Sequence, residues 1–209
     1  VRGGSEHAWV VVEDTQWNVN VSQVEVDAVL EAFENTSIGQ FPTEGIWDLN
    51  TGHFGMPPDH LDQDGKIYIM LYDFDVSSDG YFWIFDQDCD GAANFASNEC
   101  DVIYLNCSDN SPSSDYMIGV LAHEFEHLIH HEQDPNEASW VDEGLAELAM
   151  WLYGNPDNIS MFNNNPDNNL TVWNGNWADY IKTYLWTLYF YENFGGQASV
   201  YDFVQEQAN

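Results

Sequence analysis

Positive charge is almost missing from this chain of 209 residues. Arg2, Lys66 and Lys182 stand against 36 acidic residues, for a formal net charge of −33. A chain this anionic repels nucleic acid and anionic lipid, so neither is expected as a partner. It stays soluble where salt screens its self-repulsion or bound cations neutralise it. Long apolar runs are missing too. No stretch of about eighteen apolar residues occurs, so no transmembrane segment is expected. The opening "VRGGSEHAWVVVED" has neither an initiating Met nor the basic, apolar and cleavage-site pattern of a signal peptide. It reads as a mature or excised piece of a longer precursor. Cysteine is scarce, at Cys89, Cys100 and Cys107. Cys100 and Cys107 flank "DVIYLN", a strand that would hold them about 23 Å apart, far beyond disulfide reach. That leaves a Cys89–Cys100 bridge, with three free thiols as the alternative.

What is present suits one sizeable domain, since 44% hydrophobic and 15% aromatic residues can fill a core. Glycosylation sequons begin at Asn20, Asn35, Asn106, Asn158 and Asn169. With the cysteine reading they favour an extracellular or cell-surface protein.

Ser22 with Glu25 three residues on is a capping-box signature, followed by apolar Val26, Val29, Leu30 and Phe33 at helical spacing. "KIYIMLYDF" (66–74), "GYFWIF" (80–85) and "DVIYL" (101–105) read as strands. From about Ser113 the pattern turns helical. The expected class is therefore α+β: a small mixed-sheet lobe with one N-terminal helix (1–110) and a helical lobe (111–209), in one domain. "NPDNISMFNNNPDNN" is expected to form a long surface loop between the last two helices.

"IGVLAHEFEHLIHHEQ" (118–133) holds four of the seven histidines. His123, Glu124 and His127 form H-E-x-x-H. On a helix its two imidazoles share a face and can chelate one zinc, while the carboxylate reaches a bound water whose pKa zinc lowers towards ~7. His130 lies two turns from His123, about 10 Å up the axis, too far for the same ion. His130 and His131 are expected at the rim or surface. The better third ligand is Glu143 in "SWVDEGLAELAMW". Pro135 breaks the first helix, and Ser139 would cap a second one alongside it. Glu147, one turn further, is placed either to accept the second N–H of a bound histidine or to be a solvated carboxylate. Asp142 and Glu126 are expected as surface charges.

"HEFEH" followed by "WVDEGLAE" resembles the gluzincin metallopeptidases, and W-V-D-E-G-L-A looks like the third-ligand stretch of aminopeptidase-N-like enzymes. "IYIMLYDFD…GYFW…DVIYLN" with "LAHEFEHLIH" is closer still to the hyicolysin-like metallopeptidases, over roughly residues 65–195. The resemblance implies a zincin-like fold and zinc on His123, His127 and Glu143. It also implies Glu124 as general base and acid and a peptide or protein substrate. The chain departs from that pattern in a shorter interval between His127 and Glu143. It also has "DYIKTY" where aminopeptidase-N-like enzymes have Y-x-K-G. Tyr180 could still stabilise an oxyanion, or be a core aromatic with Tyr184 as rival. No G-x-M-E-N element is present, which favours an endopeptidase.

Asp86, Asp88 and Asp90 alternate before Gly91, the opening of a calcium loop, although Ser97 stands where its closing Glu would be. Calcium or a plain acidic turn are both open there. The reading from another class is a non-catalytic surface or adhesive module, part of a larger extracellular assembly. A calcium-stabilised carbohydrate-binding domain using the nine tryptophans ranks last.

Overall fold

A computed structural model describes residues 1–89, 95–160, 162 and 165–206. Five strands form one mixed sheet: β1 (Gly3–Gly4), β2 (Ala8–Val12), β3 (Ile67–Tyr72), β4 (Gly80–Phe82) and β5 (Val102–Asn106). The spatial order is β1-β2-β3-β5-β4. β2, β3 and β5 run parallel, and β1 and β4 close the two edges antiparallel. Six α-helices accompany it among the described residues: α1 (Gln23–Glu34), α2 (Ile46–Phe54), α3 (Asp115–Gln133), α4 (Ser139–Tyr153), α5 (Trp177–Phe194) and α6 (Gln197–Val204). The fold is thus mixed α and β. Among the described residues no helix is long and apolar enough to cross a membrane.

Strand alternation decides which face is covered. Ala8, Val10 and Val12 of β2 and Ile67, Ile69 and Leu71 of β3 are buried at every second position, and the intervening residues are half-buried. The buried set packs on Val26, Val29 and Phe33 of α1, Ile46 and Leu49 of α2, and Leu121, Phe125 and Leu128 of α3. One continuous core therefore joins the sheet to the helices. The expected order of strands first and helices after does not hold throughout. α1 and α2 form the crossover between the parallel strands β2 and β3, because parallel neighbours need a long connection. The capping box does form, with Glu25 accepting the Ser22 backbone N–H at 2.8 Å.

Two sequence expectations fail here. Cys89, Cys100 and Cys107 are all free. Cys100 faces the outer side of the sheet beside Tyr68 and Val102, while Cys89 is exposed beyond β4 on a different segment. Asn106 is buried, so it cannot serve as a glycan acceptor. Its amide donates to the carbonyls of Val76 and Ser78 and pins the segment that leads into β4. Asn20, Asn35, Asn158 and Asn169 are exposed.

α3, α4 and α5 pack side by side, and Gly144 permits the closest approach. A Cβ there would meet Thr187 Oγ1 at 2.5 Å and Thr183 Cβ at 3.2 Å, both on α5. An alanine in an ordinary helix interior would stabilise by about 1 kcal/mol over glycine. Gly144→Ala is instead expected to destabilise by about 1–3 kcal/mol, because two helices must part. Chemical denaturation of the variant checks the sign.

Candidate metal centre

α3 begins at Ser114, whose side chain accepts the Met117 N–H, and it runs unbroken through both histidines of H-E-x-x-H. It ends at Gln133, just before Asp134 and Pro135. The turn is tight and α4 starts at once. Its cap is Ala138 rather than the expected Ser139, which puts Asp142 in the first turn and Glu143 one residue deeper. The contacts then run in opposite senses: His127 meets Asp142 and Glu143, and His123 meets Glu143 and Glu147. The two helices are therefore antiparallel neighbours.

His123 Nε2, His127 Nε2 and Glu143 Oε2 converge on one point. The two nitrogens are 3.1 Å apart, and the carboxylate oxygen lies 3.4 and 3.7 Å from them. Ligands about 2.0–2.1 Å from a tetrahedral zinc are themselves roughly 3.3–3.4 Å apart, so the triangle has the right size. Glu143 Oε2 is also buried with no hydrogen-bond donor. A buried carboxylate oxygen without a donor is costly unless a cation faces it. The residues present fit a divalent ion, and the donor set of two imidazoles and one carboxylate suits zinc.

Each imidazole offers its other nitrogen to a carboxylate. His127 Nδ1 lies 3.1 Å from Asp142 Oδ1, and His123 Nδ1 lies 3.5 Å from Glu147 Oε1. These partners fix ring orientation and present Nε2 to the centre. Glu147 lies where that role requires. Asp142, expected as a surface charge, keeps a partly exposed side chain but turns its Oδ1 to His127. Its Oδ1 is also 3.1 Å from His130 Nδ1, and His130 is 3.4 Å from Glu126 Oε1. Glu126 is 0% and His130 2% exposed, so neither is the surface or rim residue the sequence suggested. Helical spacing hid this, because Glu126 and His130 point from α3 towards α4, the element that covers them. Glu126, His130 and Asp142 also bring three donor atoms within 4.8 Å of one another. Asp142 is already committed to His127, so this group braces the ligand from behind. His131 does line the cleft, as a rim residue should.

Burial lowers the His123 and His127 pKa values, but the surrounding carboxylates more than reverse this, Glu143 first for His123 and Asp142 first for His127. The reciprocal effect holds Glu143 at about 2, against burial, through its contacts with His123 and His127. Burial raises Glu124, and pushes Glu147 up to about 8. Glu124 lines the same cleft, of ≈ 360 Å³, as His123, His127 and Glu143. β4 comes so near that a Cβ on Gly80 would sit 3.1 Å from Glu124 Cγ and 2.8 Å from Val120 Cγ1.

Tyr180 lines this cleft and the adjoining cavity on the far side of Glu124. Burial, and then the charge of Glu143, push its phenol up to about 12, so it stays protonated and able to donate. Tyr184 is buried and lines neither space. Thr183, at the position where aminopeptidase-N-like enzymes have glycine, is buried with its hydroxyl within hydrogen-bond distance of the Asp179 and Tyr180 carbonyls.

The acidic loop looks different from the calcium pattern. Asp86 is buried, with Oδ1 accepting the Asn98 N–H at 2.7 Å and Oδ2 accepting the Tyr104 hydroxyl at 2.5 Å. Its oxygens are spent inside the protein while Asp88 is exposed. Asp90 lies outside the described residues. Compared with known proteins, the chain matches no family model, no curated protein and no solved structure.

Two outcomes are expected from zinc titration. Asp142→Ala should weaken zinc binding about 10–100-fold, with Glu143→Ala weaker still. Affinity should also fall as pH drops through the raised histidine pKa values, because only neutral imidazoles ligate. An affinity flat between pH 8 and pH 5 would contradict ligation by these rings.

Proposed function

We propose that the chain is a zinc-dependent peptidase of gluzincin type with a zincin-like fold, acting as an endopeptidase on protein or peptide substrates. The observation that carries this reading is the meeting of His123 Nε2, His127 Nε2 and Glu143 Oε2 within 3.1–3.7 Å in a cleft that Glu124 shares. A scaffold or adhesive module has no need for a fourth, buried carboxylate beside that centre.

His123, His127 and Glu143 would hold the ion. When bound, zinc supplies Lewis-acid polarisation of a carbonyl and lowers the pKa of water at the site. Glu124 is the proton carrier. Burial raises its pKa, which suits a carboxylate that takes a proton from the attacking water and returns it to the departing amine nitrogen. The Tyr180 phenol faces the cleft from α5 and is placed to donate to the oxyanion that develops on the scissile carbonyl. β4 closes the sheet on the cleft side and, among the described residues, pairs with β5 alone. Gly80, Tyr81 and Phe82 line the cleft, so the free edge is available to an extended peptide backbone. Strand pairing of that kind holds an internal segment of a substrate, which agrees with endopeptidase action.

An extracellular or surface location is part of the proposal. It rests on the four exposed sequons and an acidic composition suited to salt or cation-rich surroundings.

The test is peptide cleavage by the wild type and by Glu124→Gln at matched zinc content. The variant should keep the metal and lose about 10²–10⁴-fold in kcat. Equal rates would overturn the peptidase assignment.

A further inference from the structure

Beyond Glu124 the cleft opens into a second cavity, of ≈ 230 Å³, between β4, α3, α4 and α5. Its wall carries Asp79, Glu147 and Asp157 together with the rings of Tyr116 and Trp177. It shares His123, Glu124, Gly80 and Tyr180 with the metal centre. Three carboxyl groups thus line one space open to solvent; burial raises the pKa of Asp157, the charge of His123 lowers it, and that of Asp79 raises it again. Within the chain His123 offsets part of this from the metal side, and among the described residues no Lys or Arg lines the cavity. Arg2 is paired with Asp14, Lys66 is bonded to the Ser5 carbonyl and stacked on Trp9, and Lys182 is paired with Asp179. Among the described residues no Lys or Arg ion pair reaches the cavity.

General acidity of the surface does not explain this group, because one member is not on the surface. Glu147 is 2% exposed, and its Oε2 has no hydrogen-bond partner while Oε1 faces His123. An orphaned buried carboxylate oxygen at a cavity wall marks a place where a donor belongs. Tyr116 donates to Asp79 at 2.8 Å and so holds that carboxylate in place. Trp177 is half exposed at the outer mouth, where the cavity continues past Asp157 and Asn158. Aromatic faces beside carboxylates suit an organic cation better than a hydrated metal ion.

We propose that this cavity is a substrate subsite for a cationic group, an ammonium or guanidinium carried by the peptide and held by Asp157 and Asp79 against Trp177. The inference deepens the peptidase reading and rests on it for the identity of the ligand. The proposal commits to cation chemistry, which a basic side chain or a free amino terminus could supply.

The experiment uses the zinc-loaded full chain and N-acetylated peptide amides that differ only in Arg, Lys or Gln at each position flanking the cleaved bond. One position should show a preference of roughly tenfold or more for the basic residue, weakening with salt. Asp157→Asn should abolish that preference, bringing the ratio of kcat/KM between the basic and the Gln peptide to about one. Asp157→Lys should reverse it towards a Glu peptide, a gain that misfolding cannot imitate. Preference that follows an unblocked amino terminus instead would assign the cavity to the α-amine. A basic preference untouched at Asp157, or none at all, would overturn the subsite. Binding of an N-acetylated, arginine-containing tetrapeptide amide to Glu124→Gln, with and without Asp157→Asn, separates the two readings. Asp157-dependent binding without cleavage by the wild type would sink the peptidase and keep the subsite. Cleavage of neutral peptides with binding indifferent to Asp157 would do the opposite.

Discussion

The packing of α4 against α3 is the constraint on which the site depends. H-E-x-x-H supplies two imidazoles one turn apart, which alone is a weak chelate. Only when Glu143 arrives from α4, 3.4 and 3.7 Å from the two rings, does a closed donor triangle exist. The short turn through Pro135 sets the register of α4 against α3. Gly144, the residue after Glu143, lets α5 come close enough for Tyr180 to face the same cleft. A single glycine thus links the positions of the Glu143 carboxylate and the Tyr180 phenol.

Electrostatics follows from that packing. Carboxylates surround the imidazoles, with part-buried Glu143 in front and buried Glu147 and Glu126 and the partly exposed Asp142 behind. In a medium of low dielectric such a group is stable only with cations or protons to share. A divalent ion at the centre, a proton on the inner network and a cationic substrate group in the outer cavity would each answer part of that demand. The chain has only three Lys and Arg residues and commits each elsewhere. Apart from the imidazoles, whose pKa values these carboxylates raise, positive charge at this site has to come from outside, which connects the acidic composition to the proposed chemistry.

Much of the fold was legible. The strands at 67–72 and 102–106, and the helices over 115–133, 139–153 and 177–194, match their apolar periodicity. β2 has no sequence signature because "AWVVV" is apolar throughout and shows no alternation, and α2 has none because "IWDLNTGHF" lacks a side-chain cap and carries Gly52. At the site, His123, Glu124, His127 and Glu143 could be named in advance, but Asp142, His130 and Glu126 were misplaced. On its own helix each lies off the apolar stripe, where a charged residue ordinarily faces water. The covering surface came from the neighbouring helix, which the pattern within one helix does not describe. Asp142 had one available signal: it precedes Glu143 by one residue, so it points roughly a quarter-turn away, towards the second histidine.

The sequence by itself determined that two imidazoles and a carboxylate share a helical face. It also determined that the chain is intensely anionic, and that a second helix with a carboxylate near its start follows after a break. These are properties of period and composition, fixed within a few residues. Tertiary structure alone decided that Glu143 closes the triangle, that Tyr180 rather than Tyr184 faces the cleft, that Asn106 and Asp86 turn inward, and that three carboxylates meet at a second cavity. Those outcomes depend on distances between elements far apart in the chain. Such distances are set by side-chain volume at the contacts, as at Gly80 and Gly144, which no local pattern encodes.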